Sequence, residues 1–396
     1  MFSYSLPYII FLLLIFFIFF LKMKLRISIL FLENKEIFNF RFDRTFFIFI
    51  AIIFIGMRGY LEADWLLYYP YFKQSPQFSD GLTRIVTFTL GSFYEPGYAL
   101  LNIITKSIYN NYLFLQFICS VLPLIVIDKF FKEYFKEYAD ECYFLAWIFF
   151  FCFNGFVLEI IVLRSAMGLM CFFISMKYIE EKNFFKYFAW NLLGISFHIG
   201  SIIYIPMYFI VNKRYKNATY VMCFVLGLSV FVLRISIMRN LLSVFAAIFT
   251  GRFQSVYQSR VLVEDSIAAL GYSIGFFERI FTFFLVFYFF NKILNEDERM
   301  IIFWNMMMLY ICTYLFCWDL YVFNERLPVL LSCSYWILYP KVYKNMSKQK
   351  KIVFIVILLI YTVLKTDLLL GDKKAYYENV LFGISNRATR EAYYTY

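Results

Sequence analysis

The sequence predicts an all-α, polytopic integral membrane protein of about twelve transmembrane helices, with broken or short helices near the outer face. Three observations carry this. First, 62% of the residues are hydrophobic and 16% charged, where soluble domains have about 45–50% apolar and about 25% charged residues. Second, the excess falls in blocks: residues 4–21, 45–57, 112–127, 143–158, 218–236, 272–290, 301–317 and 352–364 are apolar or nearly so. A span needs roughly 20 mostly apolar residues, and in lipid only helices and closed barrels satisfy their own backbone. The blocks are continuous rather than alternating, so they are helices. Third, Lys and Arg gather between alternate blocks, as the positive-inside bias requires. No soluble domain is visible, and residues 1–396 read as one membrane domain.

The first block opens MFSYSLPYII, without a basic leader, and is followed by Lys22, Lys24 and Arg26. It reads as an uncleaved helix with its N-terminus outside. Lys35, Arg41 and Arg44 extend that cytoplasmic loop. The helix at 45–57 then carries residues 58–98 outward. Residues 112–127 return, with Lys129, Lys132 and Lys136 at the inner end. Residues 143–158 and 161–179 form a hairpin with its tip outside near Glu159. Residues 184–211 are either one span or two short ones meeting at His198. Folding back at His198 keeps Lys213, Arg214, Lys216 and the run from Lys341 to Lys351 inside, so the hairpin is expected. Its halves are too short to cross alone, which is tolerated only where a broken helix packs in protein or lines a cavity. Residues 237–271 and 318–327 become outer loops and 371–396 an outer tail, placing both ends outside. The outer loops 58–98, 237–271 and 318–327 are the expected active-site surface.

The net charge of +11 is explained by cytoplasmic Lys and Arg, and no basic patch on a globular fold points to nucleic acid. The eight cysteines lie in or beside apolar blocks, without CxxC spacing. They read as small buried hydrophobes rather than a disulfide framework or zinc site.

Chemistry concentrates on the outer face. Lysine dominates the inner loops, whereas the outer face, apart from Lys73, Lys106 and the tail, uses Arg58, Arg84, Arg239, Arg252, Arg260 and Arg326. The guanidinium is a fixed-charge fork suited to bidentate phosphate oxygens. Several of them at the outer end of a bundle would hold a pyrophosphate whose lipid tail lies in the bilayer. Arg164 stands inside the apolar run IIVLRSAMGL, where a charge costs a few kcal/mol unless paired or in a cavity. His198, the only histidine, sits at the hairpin tip in ISFHIGS. Histidine is the commonest general base, and a packed, hydrogen-bonded histidine is the competing reading. Asp64 and Glu95 are the other acid–base candidates. Around Asp64 stand Tyr60, Tyr68, Tyr69 and Tyr71, rings and a carboxylate of the kind a sugar site uses, although tyrosine also decorates membrane interfaces. Glu95-Pro96-Gly97 also reads as a helix start, with Glu favouring the N-terminal dipole.

In motif order this sequence resembles the EpsG-like family of membrane polysaccharide polymerases, within the Wzy-type group. Arg58, Asp64 and Tyr68 in RGYLEADWLLY look like the family's early outer loop, and Glu95, Pro96 and Gly97 like the helix start after it. Arg164 in LRSAMGL, Phe197-His198, and Arg326 in FNERLPVL complete the order. Ala63 and Ser165 stand where the family often has Gly or Thr and Gln. The resemblance implies a glycosyltransferase in the bacterial inner membrane with its site facing the periplasm. It would join undecaprenyl-pyrophosphate-linked repeat units, donor and acceptor, into an O-antigen, capsule or exopolysaccharide. Arg58, Arg164 and Arg326 would hold the pyrophosphate, with Arg252 and Arg260 beside them. Asp64, Glu95 and His198 are the candidate bases, and Tyr60 and Tyr68 the sugar contacts. Expected partners are the lipid-linked glycans, membrane lipids, and flippase and chain-length-regulator proteins. No cofactor or metal is expected, since no Asp-x-Asp pair stands on the outer face for a metal-bridged nucleotide sugar.

Three rivals are weighed. A lipid-linked glycan ligase differs in its acceptor. A membrane O-acyltransferase would need its histidine among the early spans and a thioester donor inside. A flippase or transporter would show polar residues down the spans and symmetric halves, whereas here the charge gathers at one face.

Overall fold

The computed structural model describes residues 4–25, 42–135, 140–248, 271–320 and 329–394. Every regular element among them is helical. The chain divides into two compact units, Met1–Pro206 with Met346–Tyr396, and Met207–Asn345.

In chain order the helices are α1 (Leu6–Leu25), α2 (Phe42–Ala51), α3 (Trp65–Gln74), α4 (Leu82–Leu90), α5 (Pro96–Ile108), α6 (Tyr112–Tyr134) and α7 (Asp140–Phe150). They continue as α8 (Leu163–Ser175), α9 (Lys177–Glu180), α10 (Phe184–Phe197), α11 (Tyr204–Ile210), α12 (Asn217–Val232) and α13 (Ile237–Ile248). Last come α14 (Ile274–Glu296), α15 (Met300–Phe316), α16 (Cys333–Lys344), α17 (Lys348–Leu370) and α18 (Arg387–Glu391). By length and composition α6, α14 and α17 can each cross a bilayer, and α12 with Ile237–Val244, bent by 84°, makes a fourth candidate. Leu6–Leu21, Arg44–Gly56, Glu141–Gly155, Ile199–Ile210 and Met300–Phe316 are apolar but shorter. The expected class, helical and membrane-spanning, is what the described residues form, while their lengths do not establish about twelve crossings.

In the first unit two groups of contacts mark opposite ends. At one end Ser5 Oγ donates to Asp367 Oδ1 (2.6 Å), Tyr8 Oη to Ala375 O (2.8 Å) and Val380 N to Met57 O (2.8 Å). The starts of α1 and of residues 58–98 thus share an end with the segment after α17. At the other end Asp128 accepts from Tyr143 Oη (2.5 Å) and Lys132 Nζ (2.6 Å), and Tyr134 Oη donates to Glu180 Oε1 (2.8 Å). Lipid offers no hydrophobic drive between helices, so they are held by close packing and interhelical hydrogen bonds. Phe11 stacks on Phe54 at 4.4 Å, and Phe54 on Tyr377 at 4.5 Å.

Three π-helical turns, Ile52–Gly56, Phe151–Gly155 and Val157–Ile161, interrupt this packing. Such turns insert a residue and re-aim the chain beyond them. Arg58 comes just after the first, and Glu159 lies in the third.

The reversal expected at His198 is present. α10 ends at Phe197, His198 is extended, and residues 199–203 turn back. Tyr204 then lies beside the start of α10, where its carbonyl accepts from Tyr187 Oη. The close approach depends on Gly168, where a Cβ would strike the Ser201 hydroxyl.

The second unit packs α12 on α15. Phe224 stacks on Phe283 at 3.9 Å, and Asn305 accepts from Tyr220 Oη (2.8 Å) while donating to Val211 O (2.7 Å) and Lys213 O (2.8 Å).

Candidate active site

Five residues singled out from the sequence meet in one chain of polar contacts within the first unit. Pro96 at the first turn starts α5 and leaves Glu95 extended at its N-cap position, with no hydrogen bond from the Glu95 side chain to the helix. The carboxylate therefore does not cap α5. It reaches across the fold, and Oε2 lies 2.5 Å from Arg164 NH1, near the start of α8. Glu95 Oε1 accepts from Ile199 N (2.9 Å), and His198 Nδ1 lies 3.5 Å from the same oxygen. That last contact is within ion-pair reach but long for a hydrogen bond, and Nδ1 makes no other.

On its other side Arg164 Nε donates to Tyr68 Oη (3.3 Å), and Tyr68 Oη donates to Asp64 Oδ2 (3.2 Å). The guanidinium carbon lies 4.6 Å from the Tyr94 ring centre, 5.6 Å from Tyr68 and 5.8 Å from Tyr98. These distances are in the range where ring faces attract a cation. Arg164, Glu95 and His198 side chains are 19%, 17% and 19% exposed, so the group is sheltered yet open to a ligand. Gly97 lets α5 approach α10 here, since a Cβ would lie 2.8 Å from Ser196 O.

The electrostatics separate the roles. Burial raises the Glu95 carboxyl, but the His198 ring, the Ile199 amide and the Arg164 charge outweigh it and hold the group at about 2. A carboxylate so acidic is a poor proton acceptor near neutral pH. Glu95 is thus suited to orient Arg164 and His198. Burial, with the Asp64 charge, pushes the Tyr68 hydroxyl up, so it stays protonated and donates.

Other expected site residues lie elsewhere. Arg58 is 1% exposed. Its NH1 donates to Ile55 O (2.6 Å) and Ser120 Oγ (2.8 Å), and its carbonyl accepts from Gln116 (2.9 Å). The carboxyl group that acts on it most strongly is that of the fully buried Glu159. Arg58 is therefore an internal cation in this conformation, tying the first π-turn to α6, rather than a residue presented to a pyrophosphate. The Arg-Asp spacing places it at the mouth of a span, and the π-turn then folds it inward. Tyr60 is half-buried, its ring 4.7 Å from Trp65 and 6.1 Å from Tyr112. Arg252, Arg260 and Arg326 fall outside the described residues.

The second unit holds arginines the sequence reading passed over. Arg279 donates to Gly275 O (2.7 Å) and Tyr310 Oη (2.9 Å), 4.0 Å from the Tyr314 ring centre. Arg234 lies 4.8 Å from both Phe231 and Trp318. Both sit in apolar blocks, and a charge in such a run was the signal that marked Arg164. Arg239, expected on the outer face, bonds through its backbone N to Asp319 Oδ2 (3.0 Å). No group of three or more His, Cys, Asp and Glu able to hold a metal ion occurs among the described residues.

The family model described as the EpsG family matches residues 41–378, which takes in Asp64, Tyr68, Glu95, Arg164 and His198. This chain belongs to the EpsG family. Membership makes it a polysaccharide-polymerase-like membrane protein, with a role of glycosyltransferase type in polysaccharide biosynthesis. No curated protein and no solved structure matches this EpsG-family chain.

Proposed function

We propose that this EpsG-family protein joins oligosaccharide repeat units carried on undecaprenyl pyrophosphate, at the outer face of the bacterial inner membrane. The observation that carries the reading is the unbroken contact chain Asp64–Tyr68–Arg164–Glu95–His198. It combines what such a transfer requires: a fixed cation, a base with a carboxylate to orient it, and a hydroxyl–carboxylate pair for sugar hydroxyls.

In the proposed step an acceptor sugar hydroxyl attacks the anomeric carbon of the donor glycan. A new C–O bond forms, and the bond from that carbon to the pyrophosphate oxygen breaks. Undecaprenyl pyrophosphate leaves with the electron pair, and Arg164 stabilises the charge it gains. The hydroxyl proton passes to His198. Glu95, 3.5 Å from Nδ1, is placed to stabilise the ring as it takes on that proton, and the contact would shorten to a hydrogen bond in the substrate complex. Asp64 and Tyr68 position the sugar. The arginine supplies this stabilisation without a metal. Arg252, Arg260 and Arg326 remain candidates for binding pyrophosphate.

Deleting the gene in its host and resolving the surface glycan on a gel tests this. Collapse of the ladder to one repeat unit on its carrier, restored by the wild-type chain but not by Arg164→Ala, is expected. An unchanged ladder with an unmodified acceptor would favour a ligase or acyltransferase and overturn the proposal.

A further inference from the structure

The segment beyond α17 is bonded to the backbone that leads into the site. Glu378 O accepts from Gly59 N (2.9 Å), and Val380 N donates to Met57 O (2.8 Å). Tyr377 Oη and Asn379 Nδ2 donate to Phe54 O and Ile53 O, each at 2.9 Å. Further along, Arg390 is fully buried, donates to Tyr60 O and lies 3.9 Å from Glu378 Oε2. Tyr394 Oη donates to Glu62 O (2.8 Å) and accepts from Trp65 Nε1 (3.3 Å).

Glu62 is the residue these bonds act on. Its φ is +57°, a left-handed conformation that non-glycine residues hold only where their surroundings over-determine it. Both of its backbone groups are taken by the tail: its N–H donates to Lys374 O (3.2 Å) and its carbonyl accepts from Tyr394. The left-handed residue turns the chain two residues before Asp64 and three before α3, which carries Tyr68. The family match ends at residue 378, so Arg390 and Tyr394 lie beyond it while Tyr60, Glu62 and Trp65 lie within it.

We propose that Tyr394 and Arg390 are positioning residues for the outer site. They hold Tyr60–Trp65 so that Asp64 and Tyr68 face Arg164. This rests on the proposed reading of that site. Without the Tyr394 hydroxyl, Glu62 relaxes toward negative φ and the Asp64–Tyr68–Arg164 line loses its alignment.

The test uses the full chain, purified and reconstituted, with polyprenyl-pyrophosphate-linked repeat units from the host as substrate. Tyr394→Phe keeps the ring against Trp65 and removes only the hydroxyl. The expected result is faster amide exchange at Glu62 and a fall in kcat/KM carried mainly by the acceptor KM, each by about five- to tenfold, with the melting midpoint unchanged. Arg390→Ala should do more, and Arg390→Lys should recover part of the loss. Unchanged exchange at Glu62 would overturn the proposal. So would faster exchange with an unchanged kcat/KM, or a loss of kcat/KM seen only in variants that also melt early. If the wild-type chain extends no glycan, the functional reading fails, while the exchange at Glu62 still decides whether the tail holds this segment.

Discussion

Glu95 Oε2 and Arg164 NH1, 69 residues apart in sequence, lie 2.5 Å apart. The carboxylate turns away from its own helix to meet an arginine at the head of another, and this pair sets the geometry of the candidate site. Because Arg164 also donates to Tyr68, its fork is used on two sides. Arg164→Lys keeps the charge and loses the fork, which is not a conservative change at such a position. It should lower kcat by about 10²–10³-fold, the cost of removing one oxyanion donor. Glu95→Gln should cost less, and the double variant less than the sum of both, since the two residues touch. Single-turnover rates of the purified variants check this.

His198 and Asp64 should fail differently. His198→Ala removes the proposed base and should lower kcat by about 10²–10⁴-fold with KM little changed. Asp64→Asn, acting on sugar hydroxyls beside Tyr68, should raise KM more than it lowers kcat. Steady-state kinetics over acceptor concentration separate the two. A histidine variant with wild-type kcat would remove His198 from the mechanism.

Acid should uncouple the pair in a defined window. The Glu95 carboxyl falls from 4.5 to about 2 in the fold. A depressed carboxylate contributes stability that is present above its unfolded value and lost as pH falls through its folded value. The melting difference between wild type and Glu95→Gln should thus be constant above about pH 4.5 and shrink toward pH 2. Melting curves of both proteins over that range test it.

The buried cation makes a prediction about stability rather than catalysis. Arg58→Ala removes the bonds to Ile55 O and Ser120 Oγ in a fully buried site. It should destabilise by about 1–3 kcal/mol, the cost of leaving buried polar groups without their partner. Arg58→Met, which fills most of the same space, should cost less than Arg58→Ala, because it leaves a smaller cavity. Yield of folded protein and its melting midpoint report the difference. A folded Arg58→Ala protein with raised KM would instead return Arg58 to the substrate.

Much of the candidate site's contact chain was legible because its residues violate their surroundings. Arg164 stands in an apolar run, His198 at a break between half-helices, Asp64 and Glu95 in a polar stretch between spans, and the contacts join all of them. Arg58 carried the same signal and went the other way, since a π-turn, which leaves no mark in composition, folds it onto Ile55 O and Ser120. The hold of the tail was not legible either. Arg390 and Tyr394 are ordinary in a charged, aromatic terminus, and only long-range backbone pairing shows that they grip Tyr60 and Glu62. The spans were legible as a class from continuous apolar runs, but short helices such as Met300–Phe316 do not yield a count.

The central claim is tested most directly by giving purified, reconstituted protein lipid-linked repeat units and measuring product length by mass spectrometry. The account predicts glycans of increasing length from the wild-type chain, and single repeat units only from a folded Arg164→Ala or His198→Ala protein. Extension at the wild-type rate by both variants would contradict it.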